Sequence, residues 1–505
     1  MTGPCVYNVR DYGATGDGRT IDTRSIQACI DACASSGGGT VWVPSGVYLS
    51  GSLFLHSFIT LHLDAGARLM GSADPAHYPI IHSRWEGVDR DTHAPLLGGS
   101  GLEHIAVTGR GIVDGQGEPW WNRYRDGNLN HPRPRLISFQ DCQNVRIEGI
   151  TACNSPSWTI TPLRCENVTI DGVTINNPHD SPNTDGINPD SCRNVRIANC
   201  HIDVGDDCVT IKSGTEATGR SNLQPCENVT ITNCTMLHGH GGVVIGSEMS
   251  GSVRNVVISN CVFDGTDRGI RFKSRRGRGG VVEDVRVSNI VMRDVLCPVT
   301  VNLFYAVGVW GNADVADRGM RTPTDDTPLF RRIHISQVTA TGAKLAAGFV
   351  IGLPERPVED FSLSDVAIVL AHEATAGFPE MADGLEAMER AGLYVCNVTG
   401  LRLHNVSVTA SERPALFLSD TSGIDVFAFD ASQSTGDGPV IRLHNVAGIL
   451  VHHSGPTIRN GHPDHYFMIE GDRSGLTMVD HGYAMAGLGY PIGDAPAPGD
   501  VTTRQ

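Results

Sequence analysis

The sequence predicts an all-β protein, a right-handed parallel β-helix. The first observation is a repeat that opens with Asn or Asp, then Val, any residue, and Ile or Val. It recurs at intervals of 23 to 34 residues and starts at Asn144, Asn167, Asn194, Asn228, Asn255 and Asp284. A unit this short, with alternating β-branched residues, cannot bury its apolar face alone and must stack on its neighbours. The second observation is the 59 glycines, which suit turns and disfavour a helical solenoid.

Weaker starters extend the repeat, so the stack is predicted to span roughly residues 100–450. They lie at His104, Arg332, Asp360 and Leu401. Because a solenoid grows along its axis and needs no second core, we predict one β-helix domain over residues 1–480. The Pro- and Gly-containing segment 481–505 is predicted to be a loosely ordered C-terminal tail.

Residues 1–40 are predicted to form an N-terminal cap that contains a short helix. Four residues recur at helical spacing after a polar start, and Gly37 to Gly39 end the pattern. They are Ile26, Cys29, Ile30 and Cys33. A helix here would cover the open edge of the first coil, which would otherwise recruit other chains.

Two segments interrupt the repeat near its C-terminal half. Residues 310–330 are rich in Asp, Pro and Thr, and residues 370–392 have an Ala, Glu and Met composition that indicates a short helix. Both either line the rim of a cleft or are plain surface insertions.

Charge and cysteine usage exclude some partners. The net charge of −16 argues against a duplex nucleic acid, and any anionic substrate needs a local basic patch. Cys200, Cys234 and Cys261 each follow a starter by six residues, which predicts an inward-facing ladder of small apolar side chains in place of disulfides or metal ligands.

The N-terminal sequence shows no targeting pattern. The first twenty residues lack a basic region followed by an apolar run, and no apolar run reaches the ~20 residues of a membrane span. We therefore expect a soluble cytoplasmic protein with no membrane partner. Removal of a signal peptide would instead make it secreted or periplasmic.

Four short motifs fall at nearly the same phase of the repeat. They are NTDGINPD at 183–190, GDDCVTIKSG at 205–214, HGHGG at 238–242 and RFKS at 271–274. Since neighbouring coils stack at the ~4.8 Å strand spacing, their polar groups are expected on one face. Each motif alone is better explained as a turn or, for the basic stretch, partly as a solvated loop. Their shared phase on four consecutive coils favours a site.

Alternation along a strand decides which of these side chains point together. Arg271 and Lys273 are two residues apart and point to the same side. Asp206 and Asp207 are adjacent and would point apart in a straight strand. A bend is therefore expected, with Gly205 as its hinge.

The four motifs, in this order, resemble those of glycoside hydrolase family 28, the polygalacturonases and their pectin-degrading relatives. The family pattern is NTDG, GDD, G-H-G and R-I-K, and the chain has Phe272 in place of the Ile. The resemblance implies a pectin lyase-like solenoid and an acidic oligo- or polysaccharide substrate. It also implies inverting hydrolysis of α-1,4-linked galacturonate with no cofactor and no metal.

The resemblance also implies the role of each residue. Asp206 would be the general acid, and Asp185 and Asp207 would activate the attacking water. His240 would tune this cluster. The substrate-binding residues would be Asn183, Arg271, Lys273 and Tyr305. Members of this family cluster their carboxylates more closely than the usual inverting enzyme, so carboxylate spacing does not decide the stereochemistry.

Other functions stay open at this point. A rhamnogalacturonan or side-chain glycosidase would share the aspartates but usually lack Arg271 and Lys273. A non-catalytic β-helix carbohydrate-binding protein has no reason to align acidic groups, and a pectate lyase would need calcium. The segment 238–251 resembles exo-acting members. Trp120, Trp121 and Trp158 stack on sugars or pack in the core, and nothing indicates an oligomeric state.

Overall fold

The structure is a computed structural model that describes residues 6–412, 414–432, 434–435, 438–454, 467–471, 476–479 and 501–504. The chain divides into two compact units, one of residues 1–244 and 251–256 and one of residues 245–250 and 257–505. The single domain predicted over 1–480 stays a prediction.

Three parallel ladders of short strands build the first unit, and successive coils pair with one another along each ladder. The first ladder runs through Val6–Asn8, Gly39–Val43, Ile59–Leu63, Glu103–Gly109, Gln143–Glu148, Glu166–Asp171, Arg193–Ala198 and Cys226–Thr232. The second runs through Asp17–Ile21, Gly46–Ser50, Ala67–Gly71, Ile112–Asp114, Thr151–Cys153, Thr174–Asn176, His201–Asp203 and Thr235–Leu237. The third joins Leu53–Phe54, Leu97–Ser100, Ile137–Gln140 and Ile160–Leu163. Isolated bridges continue the third ladder from Ile160 to Ile187 and Val209.

The asparagines that open the repeat form a ladder of their own. Each adopts a left-handed backbone conformation with φ between 56° and 59°. Each amide nitrogen donates to the amide oxygen on the preceding coil, at 3.3 Å from Asn167 to Asn144 and 3.0 Å at every later step to Asn255. Asn tolerates this conformation better than other residues with a Cβ. An asparagine at the start of each repeat is therefore favoured for two reasons, its tolerance of the left-handed conformation and its hydrogen bonds to the neighbouring coils.

Alternating apolar side chains fill the interior of this unit. Cys200 and Cys234 are buried, as the ladder prediction requires, and so is Cys261 in the second unit. None of the cysteines in the described ranges forms a disulfide. A second buried register, two residues before each starter, escaped the sequence interpretation. It consists of Cys142, Cys165, Cys192 and Cys226.

The predicted capping helix is present as Thr23–Ser35, and its four predicted apolar residues are all buried. Asp22 is the N-cap residue, but its side chain makes no capping hydrogen bond. Its carboxylate instead accepts from the backbone nitrogens of Thr15 and Gly16, at 2.8 and 3.0 Å. The first unit also contains the antiparallel pair Ile80–Trp85 and Val88–His93. Its other helices are Glu118–Arg125 and the 3-10 turns Val9–Tyr12, Pro75–His77, Glu216–Thr218 and Arg220–Asn222.

The second unit is also a stack of parallel strands, and the predicted parallel β-helix is confirmed. Longer strands pair in the order Val281–Arg293, Leu329–Ala343, Val358–Leu370, Val398–Thr409, Leu416–Asp430 and Ile441–His452. Shorter strands pair in the order Arg268–Lys273, Cys297–Asn302, Ala346–Ile351 and Ala391–Cys396. Phe467–Glu470 pairs with Ile441–His452. Strands Val243–Ile245 and Val253–Asp264 contain the unit boundaries.

The corner residues of the second unit can be compared with the repeat starts that the sequence predicts there. Asp284, Arg332 and Asp360 have left-handed φ values of 53° to 57°, as their position in the repeat predicts. Leu401 does not, because Gly400 takes the left-handed conformation there with φ 76°. That starter was assigned one residue too late.

The two interruptions have little regular structure. Residues 310–330 contain the single helical turn Ala313–Ala316. The prediction of a short helix within 370–392 is wrong, because residues 371–390 contain only turns, bends and isolated bridges between two strands. Hydrogen bonds from strand residues to Glu380 and Met381 hold this segment instead.

The C-terminal tail lies largely outside the described residues, at 481–500 and 505. Val501–Arg504 is a strand parallel to Leu476–Val479. No helix in the described part of the chain is long and apolar enough to cross a membrane.

The asparagine ladder makes a prediction about stability. Asn194→Ala loses two ladder hydrogen bonds and forces a Cβ residue without a polar side chain into the left-handed conformation, so the free energy of unfolding should fall by about 2–4 kcal/mol. Asn194→Gly loses the bonds but accepts the conformation, and it should cost about 1 kcal/mol less. Urea unfolding of the three proteins measures both differences. Equal losses for Ala and Gly would show that the corner conformation does not matter.

Candidate active site

Three aspartates converge on the third ladder of the first unit. Carboxylate oxygens of Asp185, Asp206 and Asp207 all lie within 4.8 Å of one another. Backbone hydrogen bonds set this register, because Thr159 N donates to Asp185 O at 2.9 Å and Gly186 N donates to Asp207 O at 3.0 Å. Asp185 and Asp207 thus occupy the same phase on neighbouring coils. The stacking of coils is what crowds their charges.

The chain bends at Gly205, where a hinge was predicted. A Cβ at this position would lie 2.6 Å from Pro178 O and 2.7 Å from Ser181 O, so a glycine is needed for close approach of the two backbones. Beyond the bend, Asp207 N donates to Asp206 Oδ1 at 2.8 Å. The bend lets both adjacent aspartates contribute an oxygen to one cluster.

His240 lies beside the most accessible carboxylate. Its Nδ1 is 3.2 Å from Asp206 Oδ1, and its backbone nitrogen donates to Asp206 O at 3.1 Å. The Asp206 side chain is 20% exposed, whereas that of Asp185 is 4% exposed. A substrate oxygen can therefore reach Asp206 more readily than Asp185.

The buried environment of Asp185 controls its proton. Burial raises the pKa of Asp185 to about 8, the negative charge of Asp206 adds to the effect, and Lys212 opposes it. Lys212 Nζ lies 3.9 Å from Asp185 Oδ2, and Asn188 Nδ2 donates to the same oxygen at 2.9 Å. Asp185 is therefore the carboxyl whose pKa is raised, whereas the family resemblance assigns the role of proton donor to Asp206.

Lys212 and Asn188 were missed as site residues, although both lie within the quoted motifs. Lys212 is five residues past Asp207 and Asn188 is three past Asp185. The ammonium of Lys212 also lies 4.2 Å from the centre of the Trp158 ring. Their place within the motifs was the signal that could have identified them.

Asn183 is held by an arginine that the sequence gave no reason to select. Arg133 Nη2 donates to Asn183 Oδ1 at 2.6 Å, and its Nη1 donates to Pro156 O and Pro182 O at 2.9 and 2.7 Å. Burial lowers the pKa of Arg133 to about 10. Arg133 therefore fixes the turn that leads into Asp185.

Arg271, in the second unit, carries a buried ion pair. Its Nε and Nη2 donate to the two carboxylate oxygens of Glu380 at 2.9 and 2.7 Å. The Arg271 and Glu380 side chains are 1% and 0% exposed. Burial alone would raise the pKa of Glu380, but the positive charge of Arg271 and its hydrogen bonds lower it to about 2. The predicted substrate cation therefore already has a carboxylate partner, which comes from the 370–392 interruption.

Further contacts attach this interruption to the basic strand. Arg268 Nε and Nη2 donate to Pro379 O and Phe378 O, at 2.9 and 3.0 Å. Asn302 Nδ2 donates to Met381 O at 3.3 Å, and Ala306 N donates to the same oxygen at 3.0 Å. The segment around Glu380 is therefore part of the environment of the basic motif and not a plain surface insertion.

Lys273 and Tyr305 lie in the same environment. Lys273 Nζ is 5.2 Å from the centre of the Tyr305 ring, and the Arg271 guanidinium carbon is 5.8 Å from it. Tyr305 N donates to Ser274 O at 2.9 Å. Lys273 and Tyr305 are both largely buried. Arg271, Lys273 and Glu380 thus form one group of charged side chains beside the Tyr305 ring.

The tryptophans pack mainly in the interior. Trp120 is fully buried, and Trp121 Nε1 donates to Ser155 O at 3.0 Å. Trp158 stacks on Trp85 with ring centres 4.9 Å apart and is 5% exposed. Core packing thus accounts for Trp120 and Trp121. Trp158 additionally contacts Lys212 beside the carboxylate cluster.

Two groups of side chains in the described residues have donor atoms close enough for a metal ion. One is the carboxylate cluster itself, and the other consists of His179, Asp203 and His238. Lys212 already places a positive charge beside the first group. Three carboxylates, a lysine and an imidazole in one group can donate and accept protons.

Comparison with known proteins gives concordant results. The model for "Glycosyl hydrolases family 28" matches residues 33–377. A probable polygalacturonase of Vitis vinifera is 35% identical over 374 residues, which are 72% of this chain and 74% of the relative. An exo-poly-alpha-D-galacturonosidase of Dickeya chrysanthemi is 29% identical over 60% of this chain and 58% of its own length. The crystal structure of an exopolygalacturonase from Thermotoga maritima superimposes with a TM-score of 0.68 and 32% identity, over 80% of this chain and 91% of that one.

The raised pKa of Asp185 predicts a stability change with pH. As pH rises above the ordinary value of 3.8, the unfolded chain releases this proton while the folded chain keeps it until about pH 8, so stability falls across that window. Asp185→Asn removes this cost. The free energy of unfolding at pH 8 should rise by about 1–3 kcal/mol, with a smaller gain at pH 5. Urea unfolding at both pH values measures the change.

Asp190→Asn is the matched control, since Asp190 is a buried carboxylate paired with Arg84 at 2.8 Å. It should destabilise, because the Arg84 charge loses its partner. Destabilisation of Asp185→Asn at pH 8 would show that Asp185 is ionised in the fold.

The Arg271–Glu380 pair predicts strong coupling between the two positions. Glu380→Gln leaves the buried guanidinium without its counter-charge and should cost about 3–5 kcal/mol of unfolding free energy. The double variant Arg271→Met with Glu380→Met removes both charges and should be more stable than either single variant. Denaturant titration measures the coupling. The exposed pair Arg293–Asp264 provides a control, because Asp264→Asn should change stability by no more than about 0.5 kcal/mol. Additive effects at 271 and 380 would contradict the coupling.

Proposed function

The chain belongs to glycosyl hydrolases family 28, and from this premise we propose that it hydrolyses α-1,4-linked galacturonate with inversion, from the ends of chains. It is a glycoside hydrolase. The observation that carries the proposal is the cluster of Asp185, Asp206 and Asp207 with His240 beside it. A purely carbohydrate-binding protein would bear the cost of crowding three carboxyls, two of them buried, without any use for them.

The reaction needs one proton donor and one proton acceptor. Asp206 protonates the glycosidic oxygen, and the bond from that oxygen to the anomeric carbon breaks. A water attacks the anomeric carbon from the opposite face, and its proton passes to Asp185 or Asp207. The products are a hemiacetal of inverted configuration and the shortened chain, so one proton is given and one is taken up.

The cluster as a whole holds the proton that Asp206 delivers. The three carboxylates are too close to titrate independently, so the proton that burial stabilises on Asp185 below about pH 8 belongs to the group. Asp206 delivers it because Asp206 is the more exposed carboxylate and has the His240 ring at 3.2 Å. Asp185 becomes an acceptor once the proton has moved. Lys212 favours its ionised form at that moment.

The substrate is acidic, and the basic motif provides for its charge. Lys273 binds the substrate carboxylate, and Arg271 stays paired with Glu380 beside the Tyr305 ring. Tyr305 offers an aromatic surface to a sugar. Asn183, fixed by Arg133, offers its amide. The basic motif gives a galacturonate an ionic contact that a neutral sugar would not use.

Action at chain ends has two supports. The segment 238–251 resembles exo-acting members, and two of the relatives described above have exo-acting names. In addition, the 370–392 interruption is attached to the basic strand by buried hydrogen bonds. A rigid segment of this kind suits recognition of a terminal sugar, because a fixed end orients the scissile bond.

A time course on polygalacturonate tests the function. The native enzyme should release monomer or dimer with slow loss of viscosity, and Asp206→Asn should lower the rate by about 10²–10⁴-fold or more while it still binds substrate. Product size and viscosity are measured together. Rapid loss of viscosity with a ladder of intermediate oligomers would contradict the exo action, and absence of galacturonate release would contradict the function itself.

A substrate with a good leaving group separates the acid from the acceptors. Fluoride leaves without protonation, so Asp206→Asn should recover much of its rate on α-galacturonosyl fluoride, whereas Asp185→Asn and Asp207→Asn should not. Recovery by Asp185→Asn in place of Asp206→Asn would move the general acid to Asp185, where the raised pKa falls.

A further inference from the structure

A second cluster of ionisable side chains lies in the first unit and has no part in the proposed hydrolysis. His179 Nε2 is 3.1 Å and His238 Nδ1 is 3.0 Å from the same oxygen, Oδ1 of Asp203. The two imidazole rings overlap with their centres 3.9 Å apart. Both histidines are exposed and Asp203 is half-buried. Two imidazoles and a carboxylate thus converge on one point at the surface.

The fold fixes the three positions on consecutive coils. Asp203 ends the strand His201–Asp203, whose neighbours place Asn176 on one side of it and Leu237 on the other. His238 follows Leu237 directly, with a left-handed φ of 57°. The turn that holds His179 packs against Gly205, where a Cβ would lie 2.9 Å from His179 O. None of the three side chains depends on a long free loop for its place.

The separations fit a tetrahedral metal site. Zinc binds imidazole nitrogen and carboxylate oxygen at about 2.0–2.2 Å, so two ligands of one tetrahedron lie about 3.3 Å apart. The two nitrogen–oxygen distances of 3.0 and 3.1 Å are close to that edge length. Two neutral imidazoles and one carboxylate also form a donor set that binds divalent zinc, nickel and copper in preference to calcium or magnesium.

We propose that His179, Asp203 and His238 bind one divalent transition-metal ion, of which zinc is the simplest case, with water completing the coordination. A bound ion would replace the two contacts to Asp203 Oδ1 with three bonds to the metal. It would join three consecutive coils at a point next to the catalytic cluster. Asp206 is three residues past Asp203 and His240 is two residues past His238. The ion stabilises this part of the fold and takes no part in the hydrolysis.

Zinc binding to the untagged, chelator-treated full chain tests the proposal. Isothermal titration with zinc chloride at neutral pH, together with metal analysis after desalting, should give one ion per chain and a raised melting temperature. His238→Asn and His179→Gln should each weaken binding by at least about tenfold, since loss of a group that only supports a ligand already costs 10–100-fold. Their melting temperatures without zinc should stay close to that of the native protein.

Two matched controls locate the ion. His201 lies on the same strand as Asp203 and contacts Thr235 Oγ1, so His201→Gln should bind zinc as the native chain does. Asp206→Asn should also retain binding, because it alters only the carboxylate cluster. Loss of binding in Asp206→Asn would place the ion at the catalytic carboxylates and overturn the proposal. Native affinity in His238→Asn, or no binding at all, would overturn it as well and leave a hydrogen-bonded His–Asp–His group.

Discussion

The corner residue at the start of each coil is the constraint on which the stacking of the first unit depends. Asn144, Asn167, Asn194, Asn228 and Asn255 all take the left-handed conformation and pass one hydrogen bond from coil to coil. A residue with a Cβ adopts that conformation only at a cost, and a short polar side chain lowers it. Because every corner is the same, strand residues that directly follow it at equal distance fall on the same face. The site lies further along each coil, at unequal distances from the corners, so the backbone hydrogen bonds of the third ladder set its register.

That register brings together groups that would separate in solution. Asp185 and Asp207 occupy the same phase on neighbouring coils, and the bend at Gly205 adds Asp206. Lys212 and Asn188 offset part of the resulting repulsion but do not remove it, since the pKa of Asp185 still rises to about 8. The carboxyls are therefore held at a cost in stability for the sake of a proton kept near neutral pH.

In the second unit, the positive charges of the basic motif are buried and need a counter-charge. A protein with net charge −16 must present positive charge to an acidic sugar, yet a buried guanidinium without a partner is unstable. Glu380 partners Arg271, and Lys273 lies in the same buried environment. The segment 370–392, which interrupts the repeat, thus helps to set the charge of the basic motif. It does so without the helix that its composition indicated.

The sequence by itself determined the parallel β-helix, the capping helix over Ile26 to Cys33, the buried cysteine register and the convergence of Asp185, Asp206, Asp207 and His240. The capping helix follows from helical periodicity, and the others follow from the repeat, because residues at similar phase on stacked coils come close in space. The partners of the site did not follow from it. Arg133 and Glu380 lie 50 and 109 residues from the side chains they hold, outside the repeated phase. The tertiary structure alone decided those pairings. Through burial it also decided which carboxyl has the raised pKa. Desolvation depends on everything that surrounds a group, whereas a one-dimensional pattern contains only its neighbours along the repeat.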